Sequence, residues 1–305
     1  MHYAVQFLLL LLVSAFACAK VTLQGRMSRS HIRTMADTLW FNVLLFGVIA
    51  LMFALLFPMG RIDRTILLFA AGTGLTTVIA QTFYAFAFNS GPVSITVLIA
   101  NFSILISTVF SAIAFGEKLY LSQSVGVACL IASMILSRAQ DDGNAKANRK
   151  WLMYSLLVMT AFGIGNSAQK IFWITESSKA AHSETTFLFV MYASAALLAL
   201  AMYVAVVFGG KKEKSALGLR KPVLGYALAI GAALCAFQKS SMYALANIDG
   251  TFYFPTLAGM QSLWMTLIGV FLFRDRLSRR QKLGVLCGVA CVALMNVRLG
   301  PAIQF

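Results

Sequence analysis

The sequence predicts an all-α membrane protein of ten transmembrane helices, arranged as two inverted five-helix repeats. Three observations predict this class. Hydrophobic residues make up 60% of the 305 residues and charged residues only 11%, whereas soluble domains carry about 25% charged residues. The apolar residues fall into stretches long enough to cross a bilayer, and the second half of the chain repeats motifs of the first. Because a soluble domain of this size has too little interior for so much apolar surface, a soluble globular protein is excluded.

Ten apolar segments have the length of about 20 residues that a helix needs to cross the hydrocarbon. An unpaired strand in lipid would leave its backbone groups without hydrogen bonds, so each segment is predicted to be a helix. The first segment has no Lys or Arg before its apolar run, and we expect a retained span rather than a cleaved signal peptide. The predicted spans are 3–23, 39–57, 65–88, 93–115, 122–137, 151–173, 187–208, 222–246, 251–273 and 281–297.

Basic residues are unevenly distributed among the loops. The odd-numbered loops carry seventeen Lys and Arg residues, whereas the even-numbered loops and the termini carry five. By the positive-inside rule, this bias places the odd loops in the cytoplasm and both termini outside a plasma or inner cell membrane. The net charge of +15 therefore indicates contact with anionic lipid headgroups rather than with nucleic acid. The remaining three basic residues lie within spans: Lys20, Lys170 and Lys239.

The two halves of the chain share a motif. The segment Phe115–Gly126 contains Phe-x-Glu-x-Leu followed by Gln and Gly, and Phe273–Gly284 contains Phe-x-Asp-x-Leu with the same spacing 158 residues later. An offset of 150 residues also pairs Lys20 with Lys170. These matches indicate that five helices occur twice.

We therefore predict two domains, residues 1–145 and residues 146–305. Five is an odd number of helices, so the two copies are expected to cross the membrane in opposite directions. Inverted repeats of this kind are typical of secondary transporters, in which they expose a central site to each side in turn.

The doubled motif and the five-plus-five organisation resemble the EamA-type transporters of the drug/metabolite transporter superfamily. The resemblance covers essentially the whole chain. It implies a transporter whose cavity is lined by helices one to four of each repeat, with the fifth helices at the periphery. This family more often keeps both termini in the cytoplasm, so the orientation predicted from the loop charges departs from its usual pattern.

Polar side chains within hydrocarbon are costly and are therefore candidates for solute binding. Gln81 and Gln238 are expected to bracket the membrane centre from the two repeats. Tyr84 lies on the same helix face as Gln81, and Tyr243 lies on the same face as Lys239. Each amide is equally consistent with a hydrogen bond between helices. The other candidates are Asn101, Asn166, Gln169, Lys170, Gln261 and Trp264.

Charged residues near the spans suggest a preference for the charge of the solute. Lys20 and Lys170 are close enough to span ends that snorkelling to the interface is expected, whereas Lys239 is deeper and is the better candidate for a solute carboxylate. None of the ten carboxylates lies deep in a predicted span, which disfavours cation/proton exchange on a buried acid. Two acids are expected to form ion pairs with their sequence neighbours: Glu117 with Lys118, and Asp275 with Arg276.

Glycines and one proline within the spans predict local packing. The pairs Gly72 with Gly74 and Gly163 with Gly165 are expected to permit close contact between helices. Pro255 is expected to kink or locally unwind span nine.

The predicted function is secondary active transport of small organic metabolites by alternating access. Neutral or zwitterionic, amino-acid-like solutes are expected, with export favoured. Uptake of carbohydrate-like nutrients and lipid flippase or scramblase activity on the same fold are the alternatives. No nucleotide-binding loop, HExxH motif or acidic cluster is found, and the histidines and cysteines are scattered, so neither an enzyme nor a cofactor or metal is expected. The expected partners are a small-molecule solute and membrane lipids. A coupling ion, and the choice between monomer and homodimer, remain open.

Overall fold

The computed structural model is a bundle of α-helices and describes residues 3–90, 96, 99–137, 149–209, 215, 217–272, 279–295 and 299–303. Two short strands within these residues, β1 (Leu119–Tyr120) and β2 (Ala302–Ile303), form an antiparallel pair. The predicted all-helical class is otherwise confirmed. The α-helices whose bounds the structure describes are α1 (Tyr3–His31), α2 (Met35–Leu56), α3 (Arg64–Ser90), α4 (Ser103–Phe115), α5 (Leu121–Ser137), α6 (Arg149–Phe172), α7 (Ser183–Phe208), α8 (Lys221–Asn247), α9 (Gly250–Leu272) and α10 (Arg279–Met295). Residues 96 and 99–101, before α4, are also helical.

Several of these helices have the length and composition of membrane spans. Five helices in the described residues, α1, α2, α3, α7 and α8, contain apolar segments of 20 to 27 residues. Shorter apolar segments lie in α5 and α10 and in 99–115, which includes α4. A multi-pass membrane protein is therefore confirmed, and the number of ten spans stays a prediction.

Helices α1 and α2 are longer than their predicted spans. The helix α1 continues past residue 23 to His31, and α2 begins at Met35 instead of residue 39. A capping box sets the beginning of α2, since Thr34 Oγ1 accepts from the Asp37 N–H at 3.1 Å and Asp37 Oδ2 accepts from the Thr34 N–H at 3.1 Å. These bonds satisfy N–H groups that have no partner within the helix.

The beginning of α3 is also set by a side-chain cap. Asp63 Oδ1 accepts a hydrogen bond of 2.7 Å from the backbone N–H of Ile66. This bond, with a further one from the Ser177 side chain, holds the pKa of the Asp63 carboxyl below its usual value. Asp63 thereby connects the loop before α3 with the short 3₁₀ turn Glu176–Lys179.

The packing of the helices follows a regular pattern. The helix α3 packs on α6 and α7, and α8 packs on α1 and α2. Likewise α6 packs on α4, and α1 packs on α9. Three further pairs are α2 with α7, α4 with α9, and α5 with α10. Shifting both helix numbers by five turns each of these pairs into another pair of the set or into itself, whereas the packed pairs α9 with α10 and α5 with α9 have no counterpart of comparable extent in the described residues.

Buried apolar side chains form two clusters. The larger cluster lies between α2, α3, α7 and α8, and the fully buried Tyr192 ring stands in it 6.2 Å from the Phe53 ring. The smaller cluster joins the N-terminal part of α1 with α9 and α10. The helix α9 continues through Pro255, so local unwinding at that residue is not observed, and a kink there stays a prediction.

Close approach of helices is seen at three of the four glycines predicted to permit it. A Cβ atom on Gly74 would lie 2.6 Å from the carbonyl oxygen of Met191 and against the hydroxyl of Ser194, both in α7. Gly163 faces Ile106 and Gly165 faces Thr76 at similar closeness, whereas nothing lies within 4 Å of a Cβ on Gly72. The prediction for Gly72 is therefore wrong.

These two glycines of α3 provide a matched test of the α3–α7 contact. Gly74→Ala is expected to lower the free energy of unfolding by about 1–3 kcal/mol, because the added methyl meets backbone that cannot yield without separating the helices. Gly72→Ala is expected to leave stability unchanged or to raise it, since alanine is the better helix former. Thermal denaturation of both purified variants in detergent measures the difference. Equal melting temperatures would contradict the contact.

Candidate solute-binding site

Lys170, in the last turn of α6, is bound by a carboxylate and by the end of another helix. Its ammonium lies 3.2 Å from Oε1 of Glu117 and donates to the carbonyl oxygens of Leu245 and Ile248 at 3.3 and 3.1 Å. The Lys170 and Glu117 side chains are only 12% and 11% exposed. The expectation that Lys170 snorkels to the interface is therefore wrong, because its charge is satisfied within the protein.

Glu117 extends this network to α9. It follows Gly116, which ends α4 with a φ of 61°, a left-handed conformation that glycine adopts without strain. Glu117 Oε2 accepts a hydrogen bond of 2.9 Å from the backbone N–H of Thr251. Thr251 lies in the first turn of α9, where unpaired N–H groups favour a carboxylate. We refer to the end of the bundle at which α4, α6 and α8 end and α9 begins as the Glu117 end.

The ion pairs predicted between sequence neighbours are not found in the described residues. Glu117 pairs with Lys170 instead of Lys118, whose side chain is exposed. Asp275 and Arg276 lie outside the described residues. A cavity of about 310 Å³ opens beside Glu117 and is lined by Phe115, Gly116, Glu117, Lys118, Tyr120, Gln123, Asp249 and Thr251.

Lys239 of α8 is also paired with a protein carboxylate. Its ammonium contacts Oε1 of Glu184 and donates to Thr185 Oγ1 at 2.8 Å, and it lies 5.5 Å from the centre of the Phe57 ring. The predicted span began at residue 187 and left Glu184 in a loop, whereas α7 begins at Ser183. The sequence analysis therefore missed Glu184 as the partner of Lys239.

The side chains of the buried glutamines contact polar atoms or sulfur on neighbouring helices. Gln81 of α3 accepts a hydrogen bond of 2.7 Å from Gln24 Nε2 of α1. Gln238 of α8 donates to the Tyr192 hydroxyl at 3.0 Å, while Gln169 of α6 has a weaker contact of 3.8 Å to the sulfur of Met191 in α7. The structure thus places Gln81 and Gln238 in two separate hydrogen-bonded pairs.

The remaining candidates are spread over the bundle. Trp264 Nε1 donates to Ser14 Oγ at 3.0 Å, and the backbone oxygen of Gln261 accepts a contact of 3.6 Å from the Cys18 thiol. Tyr84 packs edge-on against Phe162, with ring centres 6.2 Å apart. Asn101 and Asn166 are half-buried. Tyr243 is 51% exposed, which places it outside the buried polar contacts.

One side of α1 carries polar residues whose placement the sequence analysis did not recognise. Gln24 lies just beyond the predicted span and inside the observed helix. Lys20 lies one turn before Gln24 on the same helix face and is half-buried. The signal that could have identified them is the spacing of three to four residues that Lys20 and Gln24 share with the buried Val13, Ala17 and Met27.

The bundle and its apolar helices define a multi-pass membrane protein, and a comparison with protein families finds a similarity in the first half of the chain. Residues 6–139 match the EamA-like transporter family, which belongs to the drug/metabolite transporter superfamily. The predicted superfamily is thereby confirmed over these residues, and the match indicates a membrane transporter of small molecules.

One solved structure described as "Crystal structure of protein" has the same fold. It is 15% identical, the aligned region covers 96% of each chain, and the TM-score is 0.71. No curated protein matches the sequence.

A double-mutant cycle tests the contact between Lys170 and Glu117. Lys170→Met leaves the Glu117 carboxylate without its ammonium, and Glu117→Gln leaves the ammonium with carbonyl oxygens only. Each single variant is expected to lose stability, and the double variant is expected to lose less than their sum. We expect a coupling energy of about 0.5–3 kcal/mol, measured by chemical denaturation in detergent. Strict additivity would show that the two groups do not interact.

Proposed function

We propose that this protein is a secondary transporter of small organic solutes that works by alternating access. Its moving parts are a first unit, residues 1–145, and a second unit, residues 146–305. Two findings support the proposal: the match of residues 6–139 to a transporter family, and the helix pairs that interchange when each helix number is shifted by five. Such an interchange is expected of two units related by a pseudo-two-fold axis.

The observation that carries the proposal is the Glu117 network. Glu117 belongs to the first unit, whereas Lys170, Thr251 and the carbonyl groups at the end of α8 belong to the second. The network therefore connects the two units at one end of the bundle. Its contacts are a single ion pair and a few hydrogen bonds, which can break and form again as the units move.

The contact of Lys239 has the opposite character. Lys239 and Glu184 both belong to the second unit, so their ion pair persists when the units move relative to each other. We infer that Glu117 and Lys170 form a gate, while Lys239 and Glu184 stabilise the second unit. The loop charges orient the termini outward, and the Glu117 end then lies on the outer side of the membrane.

The favoured solutes are amino-acid-like, with export as the favoured direction. The amides of Gln24, Gln81 and Gln238 and the hydroxyl of Tyr192 provide neutral donors and acceptors. In the described residues, the carboxylates lie at or near helix ends, so no acid there is placed to bind a cation in the middle of a helix. Carbohydrate uptake and lipid scrambling remain the alternative functions.

Flux measurements in vesicles are designed to separate these functions. Purified protein in phosphatidylcholine vesicles is loaded with unlabelled amino acids and given a radiolabelled amino-acid mixture outside. We expect exchange well above that of protein-free vesicles, and a reduction in the Gln81→Ala and Gln238→Ala variants. A labelled monosaccharide mixture and a fluorescent phosphatidylcholine are tested in parallel. Movement of sugar or lipid without amino-acid exchange would replace the favoured function by the corresponding alternative.

Accessibility of Ser111 tests the gate. Ser111 of α4 is fully buried and faces Gly250, which lies next to Thr251 at the beginning of α9. In a background without the five native cysteines, Ser111→Cys is expected to react slowly with a charged thiol reagent. Adding Glu117→Gln is expected to raise the rate by about 5- to 30-fold, as the loss of one or two kcal/mol from the closed state predicts.

The control for this test is Glu184→Gln, which removes a carboxylate from an ion pair within one unit. It is expected to leave the reaction rate at Ser111→Cys unchanged. Equal effects of the two substitutions would contradict a gate at Glu117, since general destabilisation would then explain both.

A further inference from the structure

We propose that α2 and α7 form a fixed axis about which the two units move, held together at each end by a loop of the opposite unit. The inference rests on the proposed transport function and names the contact that stays closed while the Glu117 end opens. It starts from the loops that follow α2 and α7.

The loop after α2 is bound to the beginning of α7. The backbone N–H of Gly60 donates to Thr186 Oγ1 at 2.8 Å. A Cβ atom on Gly60 would lie against the carbonyl oxygen of Ala181, so a larger residue would force the loop away from α7. Three residues further on, the Asp63 carboxylate accepts a hydrogen bond from the Ser177 side chain. The first unit therefore holds the beginning of a helix of the second unit.

The loop after α7 is bound to the beginning of α2. Ser215 Oγ donates to Asp37 Oδ1 at 2.7 Å, and Trp40 Nε1 donates to the carbonyl oxygen of Gly218 at 3.1 Å. Leu217 is 5% exposed and belongs to the larger apolar cluster. The second unit therefore holds the beginning of a helix of the first unit.

These two sets of contacts lie at opposite ends of one antiparallel helix pair. The Trp40 ring, near the beginning of α2, lies 5.2 Å from the Tyr203 ring, near the end of α7. Gly60, just after α2, contacts Thr186 at the beginning of α7. Shifting the helix numbers by five, and counting on from α10 to α1, converts one set of contacts into the other. Such reciprocal contacts are expected of two helices that face each other across a pseudo-two-fold axis.

The side chains between the two ends make this contact costly to open. The Tyr192 ring of α7 lies 6.1 Å from the Phe46 ring and 6.2 Å from the Phe53 ring of α2. All three side chains are almost fully buried. Opening the contact to either side of the membrane would break the hydrogen bonds at that end and expose these rings to water, which is unfavourable.

The Glu117 network connects the units through other helices. Its groups lie on or next to α4, α6, α8 and α9, and none of them belongs to α2 or α7. Rigid-body movement of two units needs contacts that break and contacts that persist. The Glu117 network supplies the first kind, and α2 with α7 supplies the second.

Disulfides that fix the helix pair test this assignment. In the background without the native cysteines, Asp37→Cys with Ser215→Cys replaces the hydrogen bond at one end by a covalent link. Asp63→Cys with Ser177→Cys does the same at the other end and leaves the cap of α2 intact. Each protein is expected to exchange labelled amino acids in phosphatidylcholine vesicles equally fast when oxidised and when reduced, because neither link joins parts that separate.

The matched control is a disulfide at the Glu117 end. Ser111 and Gly250 face each other there, in contact between the two units. Oxidation of the Ser111→Cys, Gly250→Cys protein is expected to abolish the exchange, and reduction is expected to restore it.

The rate of disulfide formation gives a second readout, which does not depend on transport. Glu117→Gln is expected to leave the oxidation rate of Asp37→Cys with Ser215→Cys unchanged, since this contact stays closed when the Glu117 end opens. The same substitution is expected to raise the reactivity of Ser111→Cys towards the charged thiol reagent, so its effect on the units is verified in parallel.

The possible results have distinct meanings. If the wild-type protein exchanges no amino acids, the proposed function fails, and the oxidation rates alone decide on the fixed axis. If either link between α2 and α7 abolishes exchange reversibly, if neither link forms, or if Glu117→Gln changes the oxidation rate, the fixed axis is overturned. Melting temperatures of the reduced variants in detergent identify any loss of folding.

Discussion

Hydrocarbon offers no water to a polar group, and this constraint determines how the polar side chains of the bundle are arranged. Each ammonium or amide within a helix must find a partner in the protein or in the solute. Lys170, Lys239 and Gln238 all find partners on other helices. The polar contacts therefore favour the packing of particular helices against each other, and the apolar clusters fill the space between those helices.

The two partly buried lysine–glutamate ion pairs differ in the parts of the chain that they connect. In the proposed division of the chain after residue 145, the pair of Lys170 and Glu117 connects the two units, whereas the pair of Lys239 and Glu184 lies within one. The proposed transport mechanism requires a contact between the units that is weak enough to open, and a small number of partly buried groups at a helix end meets that need. A contact within a unit has no such limit, and the Phe57 ring next to Lys239 shields that pair further.

Hydropathy alone predicts most of the helices, because the length of a span is set by the bilayer. The ends are harder to predict, since the capping box at Thr34 and the early beginning of α7 place polar residues inside helices. The candidate polar residues could be identified from their cost in lipid, but their partners could not. Glu117 is adjacent in sequence to Lys118 yet pairs with a lysine 53 residues away, and only the packing of α4 against α6 and α9 brings these groups together.

The antiparallel strands add a mechanical link to the Glu117 end. β1 begins two residues after Glu117, and β2, near the far end of the sequence, is hydrogen-bonded to it. Ala302–Ile303 is therefore expected to move together with the segment that carries the Glu117 carboxylate. A fluorophore attached next to Ala302–Ile303 would report movement of the segment that carries Glu117 without any label inside the bundle. A bulky fusion at the same place would hinder that movement.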